Sequence, residues 1–100
     1  PFWLAPVQVV ILPVSEKFQE YAKTTLGKLQ THGIRAEVDA SDETLGKKIR
    51  TAELQKIPYL LVVGEREQAS QTVAVRERSK GDQGSKTIAD FLVLCDNGKN

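Results

Sequence analysis

The chain has 100 residues, a formal net charge of +1 and an ordinary 40% of hydrophobic residues. That is room for one domain with a modest core, and no stretch approaches the roughly 20 apolar residues of a membrane span. The single cysteine, Cys95, excludes an internal disulfide and fits a reducing compartment.

A near-neutral total names no partner, but the distribution is uneven. Residues 1–14 carry no charge, while basic residues collect at 47–56 and again at 76–86. Such patches serve phosphate contacts or stand as ordinary solvated surface. Residues 1–6 lack the basic start and long apolar stretch of a signal peptide. The start at Pro1 reads as the edge of a piece excised from a longer chain.

Residues 2–6 form an apolar lead-in. Its Trp3, the only tryptophan, is expected to pack on the sheet edge or on a neighbouring domain. Residues 7–12 are nearly all apolar and predict a central strand, stopped by Pro13, which has no N–H for the ladder. Ser15 is the expected N-cap of a first helix, with Glu16 suited to the dipole. Phe18, Ala22, Leu26 and Leu29 make its apolar stripe, Lys28 lies toward its end, and Gly33 stops it. His32, the only histidine, reads as a surface residue at that helix end. Residues 34–39 alternate in polarity and predict an edge strand.

Ser41 or Asp42 is the expected cap of a second helix over 44–55, with Leu45, Ile49 and Ala52 facing the core. Lys47 and Arg50 are neighbours on another face. Gly46 costs this helix about 1 kcal/mol relative to Ala; it marks close approach of a backbone or ligand, or tight packing on the sheet. Residues 57–64, Ile-Pro-Tyr-Leu-Leu-Val-Val-Gly, are a second apolar run and predict the middle strand of a sheet covered on both faces. Residues 65–71 read as polar connection. Residues 72–78 predict a strand antiparallel to its predecessor, because the link is too short for a crossover helix. Residues 79–85 read as a polar turn with room for a short fifth strand near its end. Ser85 or Thr87 caps a last helix striped by Ile88, Phe91, Leu92 and Cys95, and residues 97–100 are expected to fray. The order β-α-β-α-β-β-α predicts an α/β fold: a mixed, mainly parallel sheet of four to five strands with three helices.

Catalytic chemistry is not visible in these residues. Neither GxxxxGK[ST] nor GxGxxG occurs, no His, Cys and carboxylate cluster has metal-ligand spacing, and His32 is poorly placed for a nucleophilic device. Without a reactive group, a small independent enzyme is the weakest reading and a binding module the strongest. The set available for binding is Lys48, Arg50, Glu67 and Arg76. Arginine offers a planar fork to a base edge or a phosphate. A carboxylate accepts from an exocyclic amino group, and unstacked bases of an RNA loop expose such edges. Arg50 and Arg76 could equally pair with Glu53 and Glu77, and spacing alone favours that plainer arrangement.

Several segments together resemble the C-terminal anticodon-binding domain of class II aminoacyl-tRNA synthetases, and the threonyl-tRNA synthetase branch most closely. They are residues 2–9 (Phe-Trp-Leu-Ala-Pro-Val-Gln-Val), 33–35, 46–50 (Gly-Lys-Lys-Ile-Arg) and 56–64, with Glu67 and 73–76 (Val-Ala-Val-Arg). The prolyl, glycyl and histidyl branches share the fold and the middle strand but not the Trp-Leu-Ala-Pro-Val-Gln lead-in. The resemblance implies a domain that reads the anticodon loop of threonine tRNA, chiefly its second and third bases, G and U. It implies RNA contacts from Arg76, Glu67, Arg50, Lys48 and Asp42, with Arg76 on the guanine.

Two positions depart from the bacterial pattern: Asp42 stands where Asn is usual, and Thr44 where Lys is usual. Both departures suggest the alternative of an accessory or regulatory domain that kept the fold and lost tRNA reading. The resemblance further implies a cytoplasmic or organellar, homodimeric parent enzyme without a membrane. Its ATP, magnesium and zinc chemistry would lie in a preceding catalytic domain, and this domain would hold no cofactor.

Overall fold

Val9–Pro13 and Tyr59–Val63, the cores of the two apolar runs, lie side by side at the middle of the sheet in the computed structural model, which describes residues 2–97. These strands, β1 and β3, are parallel, with Val9 opposite Tyr59 and Pro13 opposite Val63. All of β1 and all of β3 except Val62 is buried, as expected of strands covered on both faces. β2 (Ala36–Val38) is parallel to β1 at one edge, as its alternating pattern predicts. β4 (Val73–Glu77) is antiparallel to β3, and β5 (Gly81–Lys86) is antiparallel to β4. The order is β2-β1-β3-β4-β5.

Among the described residues four α-helices accompany this mixed sheet rather than three: α1 (Gln19–Thr31), α2 (Leu45–Leu54), α3 (Glu65–Ser70) and α4 (Ile88–Asn97). The addition is α3, in the stretch read as polar connection. Its six residues are too few to cross the sheet, so β4 still returns antiparallel. The polar turn after β4 is also shorter than expected. β5 starts at Gly81, and its polar sequence is held as an edge strand by pairing with β4 rather than by strand propensity. Pro1 and residues 98–100 lie outside the described residues, whereas Asn97, expected to fray, closes α4.

Helix starts follow side-chain geometry more than residue type. Ser15 opens a short 3-10 helix (Glu16–Phe18) without a side-chain capping bond, and α1 begins only at Gln19. For α2 the cap is Thr44, not Ser41 or Asp42: its Oγ1 accepts from the Lys47 N–H at 3.2 Å. Thr87 Oγ1 likewise accepts from the Asp90 N–H at 3.1 Å and opens α4.

The ends of α1 and α2 share one motif. Gly33, at φ +77°, donates to Gln30 O, and Ile34 donates to Leu29 O, which closes α1 as expected. At the end of α2, Lys56 donates to Glu53 O and Ile57 to Ala52 O, but the left-handed position holds a lysine, at φ +61°. That conformation costs a side chain on the order of 1 kcal/mol. Lys56→Gly is therefore expected to raise the urea midpoint of unfolding by the equivalent of about 0.5–1 kcal/mol; an unchanged midpoint would contradict the strain.

The two faces of the sheet are unequally covered. On one, α1 and α4 bury Ala22, Leu29, Phe91 and Cys95 against Val9, Ile11, Tyr59, Leu61, Val63, Val73 and Val75. On the other, α2 buries Ala52 against Val10, Leu12 and Leu60, with Leu45, Ile49 and Val62 half-buried around them. The lead-in is tied down as well. Buried Gln8 donates to Phe2 O and accepts from Arg35 N–H, and the Arg35 guanidinium donates to Trp3 O and Ala5 O at 2.7–3.1 Å. Trp3 packs on the α1/α4 core, its ring edge-to-face with Phe2.

Candidate nucleic-acid interface

Register places Arg76 on the α2 side of the sheet, since it lies directly opposite Leu60 of β3, while Ala74 lies opposite Val62. Along β4, Val73 and Val75 on the α1/α4 side are fully buried, whereas Ala74 and Arg76 are only half-buried. The α2 layer thus stops short of β4 and leaves an uncovered floor beside it. Beside this floor, β5 carries one extra residue between the pairs Arg76–Asp82 and Ala74–Ser85, with Gly84 at φ +82° in the bulge. Bulges of this kind bend a strand and re-aim its neighbours.

Among the described residues the Arg76 side chain has no ion pair, and its Nε is enclosed without a hydrogen-bond partner. The plainer pairing with Glu77 is absent: Glu77 lies on the opposite face, where it accepts from Tyr59 Oη at 3.4 Å and pairs with Lys80 at 3.7 Å. Arg50 is exposed on α2 and is likewise free of an ion pair with Glu53. Both forks are available to acceptors from outside the domain.

Glu67 stands at the carboxyl end of β3, where open α/β sheets gather ligands. It is half-buried on α3, and its Oε1 accepts from the Gly64 N–H at 2.8 Å, closing the first turn of that short helix. A Cβ at Gly64 would sit 3.0 Å from Val14 Cγ2 and 3.3 Å from Glu67 Oε1, so this glycine lets the turn after β3 press against the end of β1. Behind Glu67, Tyr21 Oη donates to Thr72 O at 2.7 Å. Burial, and secondarily the Glu67 carboxylate, raise the Tyr21 pKa.

Asp42 lies in the exposed loop between β2 and α2, and lines a cleft at the carboxyl edge of the sheet together with Ser15, Glu16, Gln19, Glu43 and Lys48. Glu43 pairs with Lys47 at 3.2 Å across the first turn of α2, an exposed pair of little energetic weight. Gly46 is exposed in that turn and a Cβ there would meet nothing within 4 Å, so packing on the sheet does not explain it.

Lys48 differs from the other expected contacts. It is only 5% exposed, and its Nζ donates to Pro13 O at 3.4 Å and Asp39 O at 3.2 Å. The sequence held the signal: Leu45, Lys48, Ile49 and Ala52 follow the i, i+3, i+4, i+7 spacing of an inward stripe.

The remaining reactive groups are structural. Burial pushes the Cys95 thiol up to about 12, with a smaller contribution from Asp96, so it is no ready nucleophile. Burial and then Glu77 push Tyr59 up to about 12. His32 is exposed with its Nδ1 2.9 Å from Lys28 O. Among the described residues no three His, Cys, Asp or Glu side chains are grouped to hold a metal ion.

The family model described as "Anticodon binding domain" matches residues 8–96. The threonine–tRNA ligase of Thermus thermophilus is 53% identical over 92 residues, which are 92% of this chain and 14% of that protein. That of Chloroherpeton thalassium is 50% identical over 94 residues, 94% of this chain and 14% of that protein. The chain therefore spans about one-seventh of the length of these relatives. Among solved structures, the RNA-binding domain of threonyl-tRNA synthetase from Cryptosporidium parvum superposes with a TM-score of 0.90 at 34% identity, covering 97% of this chain and 24% of that one. A histidyl-tRNA synthetase from a Nostoc species gives 0.87 at 21% identity, over 96% of this chain and 23% of that one, and shows the fold alone.

Proposed function

The chain belongs to the anticodon-binding domain family, and from that premise we propose that it binds the anticodon loop of a threonine tRNA as part of a longer threonyl-tRNA synthetase. The observation that carries this reading is identity at half the positions, over more than nine-tenths of the chain, with threonine–tRNA ligases. The open floor beside β4 supports it. Arg76 projects there with an enclosed, unpartnered Nε and, among the described residues, no carboxylate to satisfy its fork, and Arg50 is exposed and, among the same residues, unpaired on α2. An Arg fork matches the two acceptors on one edge of guanine, and Glu67 keeps its second carboxylate oxygen outside the turn that Oε1 closes. The domain contributes recognition; threonylation, with its ATP, magnesium and zinc, falls to the rest of the enzyme, which we place in the cytoplasm as a homodimer. Among the described residues no helix is long and apolar enough to cross a membrane.

The test is a titration of the full-length protein with anticodon stem-loops at several salt concentrations. The expected result is binding that weakens as salt rises and that prefers the threonine anticodon over one altered at its second base by at least about tenfold. Equal retention of both hairpins would overturn the reading in favour of a domain that kept the fold without tRNA recognition.

A further inference from the structure

Among the described residues Lys48 is the one charged side chain in the buried class. Lysine is almost never buried unless paired, because an ammonium leaving water must recover its hydrogen bonds. No carboxylate supplies them here. Two backbone carbonyls do, those of Pro13 and Asp39. Pro13 is the last residue of β1, and Asp39 follows β2, with its N–H donating to Ile11 O at 3.0 Å. The side chain therefore reaches from the first turns of α2 to the point where β1 and β2 leave the sheet and diverge.

The other end of the loop between them is closed by the helix backbone. The Lys48 backbone N–H donates to Thr44 O at 3.0 Å in the first turn of α2. Residues 40–43 are thus suspended between two carbonyls, Asp39 O and Thr44 O, that both bond to Lys48. That loop carries Asp42, and Lys48 lines the same cleft as Asp42. Two carbonyls converging from different segments suit a compact ammonium with rotatable donors better than a planar guanidinium.

We propose that Lys48 is a positioning residue, whose side chain fixes the start of the 40–43 loop for RNA recognition by tying Asp39 O and Pro13 O to α2, and which makes no RNA contact itself. This rests on the reading of the chain as an anticodon-binding domain. A lysine touching phosphate and a lysine holding a loop leave different traces. Loss of a phosphate contact lowers the salt dependence of binding by about 0.7–0.9 in the log–log slope. Loss of a clamp weakens binding at unchanged slope, and loosens only the clamped loop.

The experiment compares the full-length wild type with Lys48→Met and Lys48→Arg. It reads stem-loop affinity across salt concentrations and hydrogen exchange by segment. The clamp predicts about tenfold weaker binding in Lys48→Met, the size of a lost hydrogen bond to a charged group. It also predicts an unchanged salt slope and faster exchange confined to residues 39–44. Lys48→Arg keeps the charge and a long stem, and serves as the informative variant if Lys48→Met folds poorly: a clamp shaped for an ammonium predicts weakened binding there too, whereas a phosphate contact predicts wild-type affinity. A reduced slope, full affinity in Lys48→Arg, or exchange raised evenly over the domain overturns the clamp. Wild-type selectivity with unaltered binding by both variants sinks Lys48 alone; an unselective wild type overturns the functional reading and the clamp's role with it.

Discussion

Replacing Arg76 by alanine in the full-length protein is expected to cost about 1–3 kcal/mol of discrimination at the second anticodon base, a factor of roughly 5 to 150. The expectation starts from position. Arg76 stands on the half-covered side of β4, opposite Leu60, with Ala74 and Val62 as its small neighbours toward the carboxyl edge. Its Nε is enclosed and unpartnered, and no carboxylate among the described residues lies within ion-pair distance of its fork. An arginine so placed has its geometry set and its hydrogen bonds unspent. Truncation should change the stability of the domain by less than about 1 kcal/mol, because it breaks no bond within the fold. Arg76→Lys should recover the electrostatic part of the affinity and not the discrimination, since a point charge cannot span two acceptors. Competition between stem-loops with guanine and with another base at the second position, at one salt concentration, measures both. Unchanged discrimination in Arg76→Ala would remove Arg76 as the reader.

The scaffold beneath Arg76 was legible because its signals are periodic. β1 and β3 are unbroken apolar runs, and strands buried on both faces require that composition. Ala22 and Leu29 mark the buried stripe of α1, and Gly33 its end. What escaped lacks a period or depends on long-range pairing. α3 has six residues and buries none of them, so no stripe announces it; its one local sign is Glu67 three residues after Gly64, reaching back to the turn N–H. β5 is a strand by virtue of β4 and is polar throughout. Lys56 occupies a left-handed position that sequence patterns assign to glycine.

The placement of the candidate residues in the fold was legible in part for the same reasons. Arg76 was placed by its strand and Arg50 by its helix. Glu67 was placed by its distance from the end of β3, but its bond to the Gly64 N–H came with the unforeseen helix. Lys48 was read by its charge, and charge pointed outward while spacing pointed inward. The inward stripe of α2 includes it, and two carbonyls at the sheet's carboxyl edge make that burial tolerable. Thr44 shows the converse: read as a lost cation, it is the cap from which α2 starts.

Phe91→Ala should destabilise the domain by about 3–5 kcal/mol, more than any other change considered. Phe91 is fully buried, and it anchors α4 to the sheet on the face away from Arg76. Its ring meets Tyr59 edge-to-face at 5.3 Å, Tyr59 meets Phe2 at 5.5 Å, and Phe2 meets Trp3 at 5.1 Å. One row of rings therefore joins α4, β3 and the lead-in, and truncation removes both its buried area and an aromatic pair worth about 0.5–1.5 kcal/mol. Against the 5–15 kcal/mol typical of a whole domain, the expected fall in Tm is on the order of 20 °C. Val93→Ala, on the exposed side of the same helix, should stay within about 0.5 kcal/mol. Thermal unfolding followed by circular dichroism separates the two, and equal effects would contradict the assignment of the buried face. Because the sheet lies between Phe91 and Arg76, molecules of Phe91→Ala that remain folded at low temperature should keep full discrimination at the second anticodon base. Loss of discrimination without loss of Tm would mean that the two faces of the sheet are coupled in recognition, against the proposed division into a scaffold face and a reading face.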